Sequence, residues 1–91
     1  MGFTLYQTGI LPGLPDKMVF EEDDITVGDF FQLLSAQYGG RVLEEVLDRE
    51  GIVLEGTLVI LNGHIIRLPD VLATLIPSES EMVLSVMIAG G

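Results

Sequence analysis

The chain has 91 residues, 48% of them apolar, with no cysteine and with fourteen acids set against Lys17, Arg41, Arg49 and Arg67, a formal net charge of −10. That length supports one domain with a stability of about 5–13 kcal/mol, and the apolar fraction excludes disorder despite the acidity. The sign of the charge excludes nucleic acid and anionic membranes as natural partners, and the missing cysteine removes disulfides, thiolate metal sites and cysteine nucleophiles. The acidity itself has two readings: attraction to a basic partner surface, which fades as salt rises, or simple solubility of a small domain. No apolar run approaches the roughly 18–20 residues of a membrane span, and no basic amino-terminal flank precedes one. A soluble cytoplasmic protein is the expectation.

Phe3 to Thr8 alternates apolar and polar residues, which predicts a first strand with Phe3 and Leu5 inward. Gly9 to Pro15, with two glycines and two prolines, reads as a loop. Lys17 to Glu21 reads as a second strand, and the pair as a hairpin. The acidic run Glu21 to Asp24 is either a solvated strand end or a patch that steers a partner.

Thr26 opens a helix as its cap, and Asp29 stands where a capping-box side chain returns to the cap's amide. Ile25 and Phe30 flank that box at staple spacing. Val27, Phe30, Phe31, Leu34 and Tyr38 recur at helical intervals and predict one buried stripe. Gly39-Gly40 then supplies the residues of a left-handed carboxyl cap. Arg41 to Glu50 carries Val42, Leu43, Val46 and Leu47 at helical spacing, predicting a short second helix stopped by Gly51, with Ile52 to Gly56 as a connector.

Leu58 to Leu61 and His64 to Arg67 are apolar runs separated by Asn62-Gly63, a strong hairpin signal because both turn positions need positive φ. His64, the single histidine, lacks the companion ligands of a metal site and reads as an exposed turn residue. Leu68 to Ser80 is a long connection with one helical turn around Asp70 to Leu75. Met82 to Ile88 is the final strand. Its two faces are both largely apolar, so either both are covered or one is an exposed binding face. With two helices available the exposed face is favoured, with Met87 as a member because methionine adapts to a partner surface.

Ala89-Gly90-Gly91 follows that strand. A diglycine has no Cβ atoms and enters a channel too narrow for side chains; the alternative is a frayed end.

The order strand, strand, helix, short helix, hairpin, strand is that of an α+β, β-grasp domain, with a mixed sheet packed on one main helix. Ile25-Thr26-Val27-Gly28-Asp29-Phe30-Phe31, followed by Leu34 and Tyr38-Gly39, resembles the helix entry of ubiquitin-like sulfur carriers. Leu61-Asn62-Gly63 is similar to their Val-Asn-Gly hairpin, and Arg67-Leu68 to their polar-apolar strand end. Ala89-Gly90-Gly91 resembles the end of the molybdopterin synthase small subunit, and the thiamine-biosynthesis sulfur carrier ends similarly. Two departures are the Val86-Met87-Ile88 run in place of prolines and Ser78-Glu79-Ser80-Glu81 in place of an Asp-Gly-Asp loop. They leave the pathway open among molybdopterin, tungstopterin, thiamine, a sulfur-containing amino acid and tRNA thiolation.

The resemblance implies one ubiquitin-like domain over residues 1–91 with a flexible tail at about 89–91. It implies a co-substrate, not an enzyme. Gly91 would be adenylated by an ATP-dependent enzyme of the ubiquitin-activating type and converted by a sulfur donor to a thiocarboxylate, which a sulfur-accepting synthase subunit consumes. Gly90 would let the tail thread, Ala89 and Ile88 would dock its base, and the apolar face around Met87 would contact the activating enzyme, with acidic residues steering. No bound cofactor and no metal are expected. The alternatives are a ubiquitin-like modifier joined through Gly91 to lysines of other proteins, for which Lys17 alone makes self-chains unfavourable, and a β-grasp interaction module indifferent to Gly90-Gly91. A hydrolase is the poorest reading, since no nucleophile–base pair is visible.

Overall fold

A computed structural model of the chain describes residues 2–7, 9–11, 13–44, 46–48, 50, 53–54, 56–66 and 70–86. The alternating amino-terminal segment forms β1 (Phe3–Gln7), with Phe3, Leu5 and Gln7 buried, and the run beyond the Pro/Gly loop forms β2 (Lys17–Phe20). They pair as the expected antiparallel hairpin, Phe3 opposite Phe20 and Tyr6 opposite Lys17. β4 (Thr57–Leu61) and β5 (His64–Ile66) form the second hairpin. Asn62 at φ 50° and Gly63 at φ 84° supply the two positive-φ turn positions that the dipeptide predicted. β7 (Ser80–Val86) lies between the hairpins, parallel to β1 and antiparallel to β4, giving the order β2-β1-β7-β4-β5.

Thr26 caps α1 (Val27–Tyr38): its Oγ1 accepts from the Asp29 amide at 3.1 Å. Val27, Phe30, Phe31 and Leu34 are buried along one stripe and cover the inner face of the sheet. Phe30 meets the Phe3 ring at 5.0 Å and the Phe20 ring at 4.8 Å, both edge-on, the arrangement aromatic quadrupoles favour. Tyr38 departs from expectation. It is the last helical residue and 46% exposed, because the stripe has passed beyond the sheet by that turn.

Gly39 ends the helix at φ 92°, ψ 154°, its amide donating to the Ser35 carbonyl at 2.9 Å. This is the extended positive-φ region, which is essentially restricted to glycine, and not the left-handed cap expected.

The second predicted helix is corrected. Among the described residues only Gly40–Leu43 is helical, as a 3-10 turn; the Val46 and Leu47 amides then donate to the Leu43 carbonyl at 3.0 and 2.8 Å in one further turn, and Leu47 bridges Val53 as in a sheet while the Leu54 amide donates to the Val46 carbonyl. Val42, Leu43, Val46 and Val53 are all buried. An isolated helix this short does not form from spacing alone, and here the apolar residues reach the core by an irregular path. The turn near residue 70 is likewise shorter than expected, Asp70–Ala73. Beyond it, β6 (Leu75–Ile76) pairs with β3 (Ile25–Thr26), a two-stranded ribbon the sequence did not reveal. The Val27 amide donates to the Thr74 carbonyl at 2.9 Å, which ties the first residue of α1 to the residue before β6. Among the described residues no helix is long and apolar enough to cross a membrane.

Candidate functional site

Met87, Ile88, Ala89, Gly90 and Gly91, the residues to which the sequence assigns the site, lie outside the described residues. What the structure establishes is their mount. β7 reaches Val86 in the middle of the sheet, with Gln7 of β1 level with Leu84 on one side and Thr57 of β4 level with Val86 on the other.

The inner residues of β7, Met82 and Leu84, are buried, whereas Val83 and Ser85 on the outer face are partly exposed. Strand register aligns Lys17, Tyr6, Val83, Ile60 and Ile65 across that face. Ile65 is 49% exposed and Val19 on the edge strand 63%. The choice left open for the final strand is thereby decided: its outer face belongs to a partly exposed apolar band on which α1 does not pack. Lys17 holds its Nζ 5.9 Å from the Tyr6 ring centroid at one end of the band.

One end of the sheet is marked by acids. Phe3 is level with Phe20 and Ser80, so Glu21 to Asp24 after β2 and Glu79 and Glu81 around the start of β7 gather at the end opposite Val86. The six steps from Ser80 to Val86 span about 20 Å at strand rise, against a Debye length of about 8 Å at physiological salt. These six acids are thus screened from the end where β7 stops.

Asp23 is more than a solvated strand end. Its Oδ1 accepts from the Gly2 amide at 2.7 Å and from the Ser78 hydroxyl at 2.9 Å, and the Gly2 carbonyl accepts from the Glu79 amide. The Gly2 bond first and the Ser78 bond second hold the Asp23 carboxyl below its ordinary value. A depressed acid contributes stability above its unfolded value of about 3.9 and loses it as pH falls through the folded value. Melting temperature is therefore expected to fall below about pH 4 more steeply in the wild type than in Asp23→Asn, measured by circular dichroism; parallel profiles would contradict this.

Asn62 also does more than turn the hairpin. Its Oδ1 accepts from the Glu81 amide at 2.9 Å and its Nδ2 donates to the Ser80 hydroxyl at 3.2 Å, fastening the turn to the start of β7. Gln7 was missed altogether. Its carboxamide, 3% exposed, bonds four backbone groups of the loop that follows β1. The available signal was a polar residue in the inward series Phe3, Leu5, Gln7 immediately before a Pro/Gly loop. His64 is exposed as expected, and the described residues contain no group of three or more histidines and carboxylates able to hold a metal.

No family model and no curated protein matches the chain. Solved structures do. SAMP1 from Haloferax volcanii superposes with a TM-score of 0.74 at 21% identity, covering 100% of both chains. The Haloferax volcanii HVO 2177 protein gives 0.73 at 26% identity, over 100% of this chain and 87% of its own. Mycobacterium tuberculosis CysO, an antigen, gives 0.76 at 22% identity, over 94% of this chain and 99% of its own. The ubiquitin-like β-grasp fold expected from the sequence is thus shown, and the chain shares it with SAMP1 and CysO.

Proposed function

We propose that the chain is a sulfur carrier whose terminal Gly91 is activated as an acyl-adenylate and converted to a thiocarboxylate. The observation that carries this reading is the fold: a β-grasp domain whose central strand β7 ends five residues before Gly91. In the activation step the Gly91 carboxylate attacks the α-phosphorus of ATP, which forms the mixed anhydride and expels pyrophosphate. A sulfide equivalent then adds to the acyl carbon and AMP leaves, giving the thiocarboxylate. The chain itself is a co-substrate in both steps. Gly90 and Gly91 present the least hindered acyl group a protein can offer; Ala89 and Ile88 dock the base of the tail on the activating enzyme, which the apolar face around Met87 contacts. The absence of cysteine means that no internal thiol captures the activated carbonyl. The resemblance of Ala89-Gly90-Gly91 favours molybdopterin or tungstopterin synthesis as the destination, with thiamine next.

A second reading has specific support. The similar Haloferax protein is named a small archaeal modifier protein, and a modifier would join Gly91 through an isopeptide bond to a lysine of another protein.

Top-down mass spectrometry of the chain purified from its native host separates these readings. Replacement of one oxygen by sulfur at Gly91, removed or blocked by alkylation, is the expected result. Alkylation is needed because oxidation of any of the four methionines changes the mass almost identically. An isopeptide at Gly91 would favour the modifier, and an end left unmodified by ATP, sulfide and adenylating enzymes would refute both.

A further inference from the structure

Asn62 is the single asparagine of the chain, and a glycine follows it. In that pairing the backbone nitrogen of the second residue can attack the side-chain Cγ of the first and close a five-membered ring. A glycine there has no Cβ to obstruct the closure. Asn62 and Gly63 are both exposed, and a Cβ added at Gly63 would meet nothing within 4 Å, so water has access to the turn.

The fold opposes the attack by holding the carboxamide across to β7. Asn62 Oδ1 accepts from the Glu81 amide at 2.9 Å, and Nδ2 donates to the Ser80 hydroxyl at 3.2 Å. The Asn62 amide also donates to the Glu81 carbonyl at 2.9 Å. The carboxamide has to leave both of its partners before it is free to turn toward the Gly63 nitrogen. At ordinary hydrogen-bond strength, two bonds favour the held form by about 30-fold.

The same contacts make the amide hard to replace. Ser80 is buried and its hydroxyl donates to the Pro77 carbonyl at 2.6 Å, so what it offers Asn62 is a lone pair. An aspartate would put an ionised oxygen where Nδ2 stands, and two acceptors would face each other without a proton between them. An isoaspartate would route the backbone through the former side chain. The turn, with φ 50° at Asn62 and 84° at Gly63, has no room for the extra carbon.

We propose that Asn62 is a site of spontaneous deamidation, held in check by its bonds to Ser80 and Glu81, and that its conversion loosens the β4–β5 turn from the start of β7. The Gly63 nitrogen bonds to Cγ and gives up its proton; the Cγ–Nδ2 bond breaks and ammonia leaves with that proton. Water then opens the succinimide at either carbonyl, giving aspartate or isoaspartate. Either product adds a negative charge beside Glu81.

The test is ageing of the purified chain in neutral buffer, followed by intact mass and by peptide mapping that separates asparagine, aspartate and isoaspartate. Conversion is expected at Asn62, about 30-fold more slowly in the folded chain than in the chain unfolded in guanidinium. Ser80→Ala removes one of the two bonds and is expected to convert about fivefold faster than wild type. Val42→Ala, a core truncation in the segment after α1, is expected to stay near the wild-type rate. Asn62→Asp supplies the aspartyl product directly and is expected to melt lower, with faster hydrogen exchange at His64–Ile66. Folded and unfolded chains ageing at one rate, a wild-type rate in Ser80→Ala, or an equal acceleration in Val42→Ala would each overturn the protective role. Conversion at Gln7, Gln32 or Gln37 in place of Asn62 would overturn the site, as would a folded chain that stays wholly amidated long after the unfolded chain has converted. Wild-type melting and exchange in Asn62→Asp would overturn the consequence.

Discussion

Removing Gly90 and Gly91 is expected to abolish ATP–pyrophosphate exchange and sulfur loading completely while leaving the domain folded. The two halves of this expectation have separate causes. Among the described residues the buried core runs from Phe3 to Leu84 and is closed by α1, the sheet and the 3-10 turns, and a glycine has no side chain to add to a core. Urea unfolding of the truncated chain should therefore agree with wild type within about 1 kcal/mol, the usual range for changes outside the core. The chemistry, in contrast, depends on an unhindered terminal acyl carbon. Gly90→Val keeps the length and the carboxylate but adds a branched side chain, and it should also block exchange if the tail must enter a narrow channel. Exchange that survives the deletion would sink the carrier and modifier readings together and leave an interaction module. A loss of stability well beyond 1 kcal/mol would show that the glycines belong to the fold.

The largest effect on stability is expected from Phe30→Ala. Phe30 is fully buried and touches the rings of Phe3 and Phe20, with Phe31 at 6.0 Å. Truncating a buried phenylalanine costs about 3–5 kcal/mol, through lost transfer energy and the cavity left behind. Against a total of about 5–13 kcal/mol for a chain of this size, that removes about a quarter or more, and the variant should unfold at markedly lower urea. Tyr38→Ala at the end of the same stripe should cost less than about 1 kcal/mol, because Tyr38 is 46% exposed. Equal losses at the two positions would mean that Tyr38 is packed as its spacing suggests and that the helix extends further over the sheet.

The contrast between Phe30 and Tyr38 marks how far the sequence could be read. Helical spacing identifies a face, but which residues on it are covered depends on where the sheet ends. Elements specified by contacts a few residues apart were legible. Thr26 and the Asp29 amide define the start of α1, Asn62-Gly63 defines the second hairpin, and alternation in Phe3 to Gln7 defines the first strand with its inward face. The fold class followed from their order, and the tail assignment from its resemblance to the sulfur carriers.

Elements made by distant partners were not legible. The β3–β6 ribbon joins residues 25–26 to 75–76, and neither two-residue strand has a pattern of its own. The segment after Gly39 carries helical spacing but among the described residues forms a 3-10 helix only through Leu43, followed by a single turn to Leu47, since four apolar side chains reaching one core need no longer helix to do so. Asp23 and Asn62 each had a local role in the sequence, yet their bonds to Ser78, Ser80 and Glu81 arise only when β7 comes alongside. By itself the sequence determined the local turns, the helix cap, the alternation and the composition, because each is an interaction among near neighbours in the chain. The tertiary structure alone decided that Glu21 to Asp24 join Glu79 and Glu81 at one end, that an apolar band stays open across the sheet, and that Gln7 fixes the loop beside the end of β7. Those features exist only once β1 and β7, more than seventy residues apart in the chain, have paired.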